Sequence, residues 1–468
     1  MTGMSVNQVQ WPALAAVAAA ALLAVLDGTV VAVALNSLAG SFEVRLDQVV
    51  WVTIGYLLAV AAVLPVLGYL TARFGARVVF VAGLLIFLAG SGLTALAGSV
   101  PALIGFRVIQ GVGGGLIEPT AMTLAAGLAP TRQLGRVMGV MSMIINVAPV
   151  LGPLVGGLLL QTGHWQWIFL VNLPLGALVL MAVLSATRES GATRESSAVA
   201  QASVPKADGP GLLLLTVGFV GLLFALNRSG EGGVSPPVVL AGVLGALLLA
   251  AYVPYAARMS REGRPPALDL RLLARPGFGA GMGVMGLVGL VMFAQLTALP
   301  LFAAQHFGLI GLEQGVLVSA LGLGLLVSMS AGGRLSDNVG ARPLVMGGAA
   351  VTFTAVLVFV ATHDDWPLGA LYALFVFVGL GFGATAAPTV AGAFRLLRPG
   401  EQAAGSTALF MTVQFGASVG VTLLGLLQAV TQNWVTWLFL VIAGVQVIVF
   451  GLGSQLLTRG QLPHFSSP

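Results

Sequence analysis

Three ionisable side chains stand inside stretches that are otherwise apolar: Asp27 in LLAVLDGTVVAVAL, and Arg107 and Glu118 in RVIQGVGGGLIEP. Arg107, Gly111, Gly114 and Glu118 are spaced i, i+4, i+7 and i+11, so on a helix they share one narrow face. Arg107 and Glu118 are then about 16 Å apart along the axis and are not each other's partners. A charge at mid-membrane costs at least about 2.5–3.5 kcal/mol, so each needs a partner, water or a function. In membrane helices, Asp27 lies about 13 Å and Arg107 about 9 Å from the outer ends, similar enough depths to pair. Such a pair reads as a proton-coupling carboxylate tuned by an arginine, or as a structural buried ion pair. Glu118, about 26 Å from that end, reads as a second protonatable group, a docking carboxylate for a cation, or an acid snorkelling beside the kink site Pro119.

Composition requires the elements that would position these residues to be membrane helices. Of 468 residues, 58% are hydrophobic and only 7% charged, against roughly 25% charged in soluble proteins. The 64 glycines suit close helix packing in lipid. The net charge of +5 is spread over short loops, with no patch suited to nucleic acid. With no cysteine and four scattered histidines (His164, His306, His363, His464), no metal site is expected. GVGGG at Gly111–Gly115 is no phosphate loop, because no GK[ST] follows it. No cofactor is expected.

Fourteen spans of about 18–28 residues are long enough to cross about 30 Å of hydrocarbon. They run at 13–35, 49–70, 78–98, 101–128, 135–160, 166–187, 210–227, 237–257, 277–304, 312–333, 343–361, 368–392, 403–430 and 434–457. With both termini cytoplasmic, inner loops and tails carry 17 of the 20 Lys+Arg residues, and outer loops carry only Arg45 and Arg228. That bias selects this orientation. The N-terminus has no basic residue ahead of its apolar run and reads as an uncleaved first helix.

The arrangement expected is a six-helix bundle over 1–187, a cytoplasmic linker at 188–209, a two-helix insert at 210–257, a second linker at 258–276 and a second six-helix bundle at 277–468. An internal repeat supports two parallel halves. GYLTARFGAR (Gly68–Arg77) aligns with GRLSDNVGAR (Gly333–Arg342), and IEPT (Ile117–Thr120) with AAPT (Ala386–Thr389), at offsets of 265 and 269. In the fifth span Ala148, Gly152 and Gly156 form a small-residue stripe with kink sites at Pro149 and Pro153. That stripe is either a bend that moves in transport or ordinary packing. Gln110, Gln295, Thr385, Phe410 and Gln414 are candidates to line a cavity, and each alone also fits simple packing.

Together these segments resemble the major facilitator superfamily, and within it the fourteen-helix drug:proton antiporters. Leu26, Asp27, Thr29 and Val30 match that family's first-helix signature; Trp51, Tyr56, Pro65 and Gly68 match its second helix; RVIQGVGGG matches its arginine-bearing fourth helix; and Gly152, Pro153, Gly156 and Gly157 match its antiporter motif. The resemblance implies that the loop motif with Gly68, Arg73, Gly75 and Arg77, and its second copy with Asp337, helps latch an outward-open state. Two departures stand in those copies: Ala72 replaces the usual acid, and Asn338 a common basic residue. Ala32 and Asn36 likewise stand where the first-helix signature commonly has Asn and Pro.

The expected protein is all-α, with the major facilitator fold of two six-helix bundles plus a two-helix insert. It is expected to sit as a monomer in a bacterial inner membrane, in contact with membrane lipids. Its expected function is export of hydrophobic or cationic drugs by proton-coupled antiport, through alternating access and not as an enzyme, with Asp27, Arg107 and Glu118 carrying the coupling. The alternative is export or flipping of a lipid or cell-envelope precursor on the same fold.

Overall fold

A computed structural model describes residues 9–189, 208–232, 235–309, 315–363 and 365–456. Most of the expected 188–209 linker lies outside the described residues. Fourteen helices are long and apolar enough to cross a membrane, and the protein is an all-helical, multi-pass membrane protein. They are α1 Trp11–Ser41, α2 Trp51–Phe74, α3 Ala76–Ala95, α4 Val100–Gly127, α5 Leu134–Leu160, α6 Asn172–Glu189, α7 Gly209–Gly232, α8 Pro236–Arg261, α9 Phe278–Phe307, α10 Gly315–Val339, α11 Ala341–Thr362, α12 Leu368–Arg395, α13 Gln402–Val430 and α14 Trp434–Gly453.

Local chemistry sets the helix ends. The Ser99 hydroxyl accepts the Ala102 N–H at 3.4 Å and Pro101 fills the first turn, so α4 starts where its cap allows. α1 runs past the expected end at 35, and the chain turns at Glu43, the one described non-glycine residue with positive φ (52°). The sixth span is interrupted: a single turn, Trp167–Leu170, precedes α6. Pro174 has no N–H to offer the Leu170 carbonyl, which accounts for the break. Gly75 and Gly340 are the one-residue joints between α2 and α3 and between α10 and α11, at φ +81° and +86°. Both close the repeated sequence motif, and a side chain there would be strained.

The chain divides into two compact units. The first comprises 1–130, 151–220 and 247–269, the second 131–150, 221–246 and 270–468. In the first, α4 packs on α2 and α3; in the second, α12 packs on α10 and α11. The same device allows both. A Cβ on Gly111 or Gly115 would strike the backbone of Tyr56 or Val60 in α2, and one on Gly113 would strike Phe87 in α3. Gly379 and Gly383 meet Leu321 and Ser328 of α10 in the same way, and Gly381 meets Gly348 and Thr352 of α11. The two glycine trios are 268 residues apart, so the repeat extends to how helices touch.

Within the second unit, Thr422 of α13 donates to the Leu226 carbonyl of α7 at 2.7 Å. Arg275 forks onto Glu401 with bonds of 2.7 and 2.6 Å, just before α13. On α8, Leu240, Val243, Leu244, Leu247 and Val253 are exposed at helical spacing, an apolar face suited to lipid.

Candidate functional site

Asp27 lies midway along α1, where the Ala-rich helix offers no other charge. Its carboxylate is 1% exposed and Arg107 is 0% exposed, so neither reaches water. Arg107 Nη1 donates to Asp27 Oδ2 at 2.5 Å. Helices α1 and α4 therefore bring together the pair that their depths in the sequence suggested.

The pair is the centre of a larger network. Gln110, one turn beyond Arg107 on α4, accepts from Arg107 Nη1 at 2.8 Å and donates through Nε2 to Asp27 Oδ1 at 2.9 Å. Asn172, the first residue of α6, donates to the same Oδ1 at 2.6 Å. Ser91 of α3 accepts from Gln110 at 3.1 Å and from Asn172 at 2.9 Å, and donates to the Phe169 carbonyl at 3.0 Å. Arg107 Nε reaches the Val52 carbonyl at 3.5 Å. The guanidinium carbon sits 4.1 Å from the centre of the Tyr56 ring and 5.5 Å from that of Phe169, a cation–π setting for a charge without water. Tyr56 in turn donates to the Ala24 carbonyl of α1 at 3.0 Å.

Glycines make room for these polar groups. A Cβ on Gly114 would stand 2.5 Å from the Tyr56 hydroxyl, and one on Gly90 would stand 2.6 Å from the Gln110 backbone. Gly152 and Gly156 of α5 seat on Thr29 and Val30 of α1, a few residues from Asp27. Ala148, in the other unit, is fully buried. Gly157 is half-buried, and the Pro153 side chain lies outside the described residues.

The other expected residues are placed separately. Gln110, a candidate to line a cavity, is fully buried and belongs to the ion-pair network. Glu118, three turns from Arg107, is half-buried and makes no hydrogen bond or ion pair among the described residues. At the α2–α3 corner, Gly68 and Arg77 are half-buried, and Arg73 is exposed over the Phe74 ring at 5.9 Å. In the second unit Asp337 accepts the N–H groups of Gly135 and Arg136, at 2.8 and 3.0 Å, and pairs with Arg395. Arg395 also donates to the Ser336 carbonyl at 3.0 Å. The start of α5 thus receives a carboxylate where helix N–H groups are unpaired.

Gln295 of α9 is fully buried, and neither of its amide atoms has a hydrogen-bond partner among the described residues. Thr385 is buried and donates to the Gly381 carbonyl at 3.0 Å, while Phe410 and Gln414 are half-buried. Sequence reasoning missed Ser91 and Asn172. The available signal was an asparagine directly before Leu173–Pro174, at a helix start inside an apolar span.

The carboxylate faces donors only, from Arg107, Gln110 and Asn172. A proton on either oxygen removes the charge that Arg107 balances and adds an O–H to a site that meets only donors, so the contacts around it weaken. The arrangement can therefore convert protonation into side-chain movement.

A family model described as the Major Facilitator Superfamily matches residues 17–296 and 281–463. The chain is 33% identical over 421 residues to a multidrug resistance protein B homolog of Mycobacterium tuberculosis, covering 88% of this chain and 75% of that one. It is 30% identical over 424 residues to the tetracenomycin C resistance and export protein of Streptomyces glaucescens, covering 90% and 76%. The solved proton:xylose symporter XylE superposes with a TM-score of 0.63 at 16% identity, over 94% of each chain. That last likeness concerns the fold.

Proposed function

The chain belongs to the Major Facilitator Superfamily, among its drug-efflux transporters, and on that premise we propose that it exports hydrophobic or cationic drug-like compounds across a bacterial cytoplasmic membrane in exchange for protons. The observation that carries this reading is the buried Asp27–Arg107 pair, with every Asp27 contact a donor. An ion pair fully buried inside a membrane span places a carboxylate and its counter-charge where a change in either moves the other, which is what coupling requires.

In the proposed cycle a proton from outside reaches Asp27 and removes its charge. Arg107 loses its counter-ion and one or more donors withdraw. The helices that carry them, α1, α4 and α6, then settle in a different packing, and alternating access follows. Release of the proton to the cytoplasm restores the ion pair. Glu118, on the same helix as Arg107 and without a hydrogen bond or ion pair among the described residues, offers a second carboxylate to protons or to a cationic substrate. The relatives named for multidrug and tetracenomycin resistance support the substrate class.

The test is uptake of a fluorescent cationic dye by inside-out membrane vesicles whose lumen is made acidic. Wild type should accumulate dye against its gradient. Asp27→Asn should lose at least about tenfold in gradient-driven rate, and a protonophore should abolish transport by the wild type. Gradient-driven efflux by Asp27→Asn at the wild-type rate would remove Asp27 from the coupling. A wild type that moves no dye, although present in the membrane, would favour a lipid or envelope-precursor substrate.

A further inference from the structure

The two copies of the repeated corner differ where it matters. Asp337, which holds the second copy to α5 and to Arg395, aligns with Ala72 in the first. Position 72 itself supplies no carboxylate, and a different segment of chain lies alongside. The Ala267 carbonyl stands 3.9 Å from where a Cβ on Gly68 would be, at the start of the first copy.

That segment, 262–269, follows α8 and is tied by the α7–α8 insert. Asp208 caps α7, its Oδ1 accepting the Gly211 N–H at 3.0 Å and the Tyr255 hydroxyl. Asp208 Oδ2 accepts the Ala267 N–H at 3.0 Å. One turn earlier on α8, the Tyr252 hydroxyl accepts the Leu268 N–H at 2.7 Å and donates to the Leu268 carbonyl at 2.8 Å. Asp208 is 7% and Tyr252 2% exposed. A carboxylate so buried is tolerated only because donors surround it. Without Asp208, the Ala267 N–H and the Tyr255 hydroxyl lose their acceptor, and the stretch around Ala267 is held less firmly.

We infer that Asp208 is a positioning residue for transport, anchoring segment 262–269 as a strap that holds the cytoplasmic end of α2 where the first copy of the corner motif lacks its acid. The two added helices thereby acquire a role, because Asp208, Tyr252 and Tyr255, the three side chains that fix the strap, stand on them or at their start. The effect on transport rests on the export reading above; the strap itself does not.

The chain contains no cysteine, so Gly68→Cys with Ala267→Cys introduces the only two thiols. In native membranes this pair should cross-link rapidly with a short bifunctional thiol reagent. Adding Asp208→Ala should slow the cross-link by about tenfold or more, as the segment opens locally. In the cysteine-free chain, Asp208→Ala should lower the maximal efflux rate several-fold with KM held within about twofold, the pattern of a conformational rather than a binding defect. Asp208→Asn, which keeps one acceptor oxygen, should fall between. If Asp208→Ala does not reach the membrane, Tyr255→Phe, which deletes one hydroxyl, should show the same two changes in smaller measure.

Cross-linking that proceeds equally fast without the Asp208 or Tyr255 groups overturns the strap. Slowed cross-linking with an unchanged maximal rate overturns the positioning role. A wild type that exports nothing defeats the export reading, and the cross-linking comparison still decides the strap.

Discussion

Asp27 has three side-chain donors on two oxygens, two from α4 and one from α6. Arg107 supplies charge, Gln110 bridges the arginine to the acid, and Asn172 closes Oδ1 from α6. Hydrogen bonds to a charged group contribute about 1.5–3 kcal/mol each. Asn172→Ala should therefore lower the stability of the purified protein by about that amount, read as a drop in thermal midpoint. It should also slow gradient-driven efflux, because Oδ1 then keeps only Gln110. Asn172→Ala with wild-type melting and wild-type efflux would show that α6 contributes nothing to this site. The charged residues were legible because an ion in an apolar span stands out. Ser91 and Asn172 were not, since neutral polar residues occur throughout such helices and only contact separates one from another.

At the scale of the element, close helix approach creates the site as much as side chains do. α3 and α4 come near enough at Gly90 that a methyl group would lie 2.6 Å from the Gln110 backbone. Gly90→Ala must push α4 away, and overpacking of this kind costs about 1–3 kcal/mol. The displacement falls on Gln110 and so on Asp27, so efflux should fall together with thermal stability. Gly105, on the same α4, has open space around its missing Cβ. Gly105→Ala should be neutral or stabilising by up to about 1 kcal/mol through helix propensity. Equal melting of the two variants would overturn the close-packing account. The spacing of GVGGG signals small-residue packing. Which glycine faces α2 and which α3 depends on helix rotation, and no residue count supplies that.

Across the whole molecule, each unit is tied by contacts between residues far apart in sequence. In the second, Arg275 and Glu401 are separated by 126 positions and meet through two hydrogen bonds. Arg275 holds the Glu401 carboxyl below its usual range, chiefly by hydrogen bonding. A depressed carboxyl contributes stability above its unfolded value and loses it as pH falls through the folded one. The Arg275 side chain is 41% exposed, so solvent limits the pair to about 1 kcal/mol. Glu401→Gln should melt lower than wild type at neutral pH, and the difference should shrink as pH falls below the ordinary carboxyl range and through the lowered folded value. A difference that persists undiminished in acid would assign the effect to something other than this ion pair.

Hydropathy and charge, read along the chain, determined that this is a helical membrane protein with fourteen spans. They also marked the repeated corner and the two charges that pair inside the first unit. These are properties of short stretches, set by helix length against bilayer thickness and by the cost of an ion in hydrocarbon. Tertiary structure alone decided that Gln110 belongs to the ion pair and that Ser91 and Asn172 complete it. It also decided that Asp208 reaches Ala267 and Tyr255. The reason is geometric: a partner is chosen by the rotation and depth of two helices at once, and those are fixed only when every helix has packed.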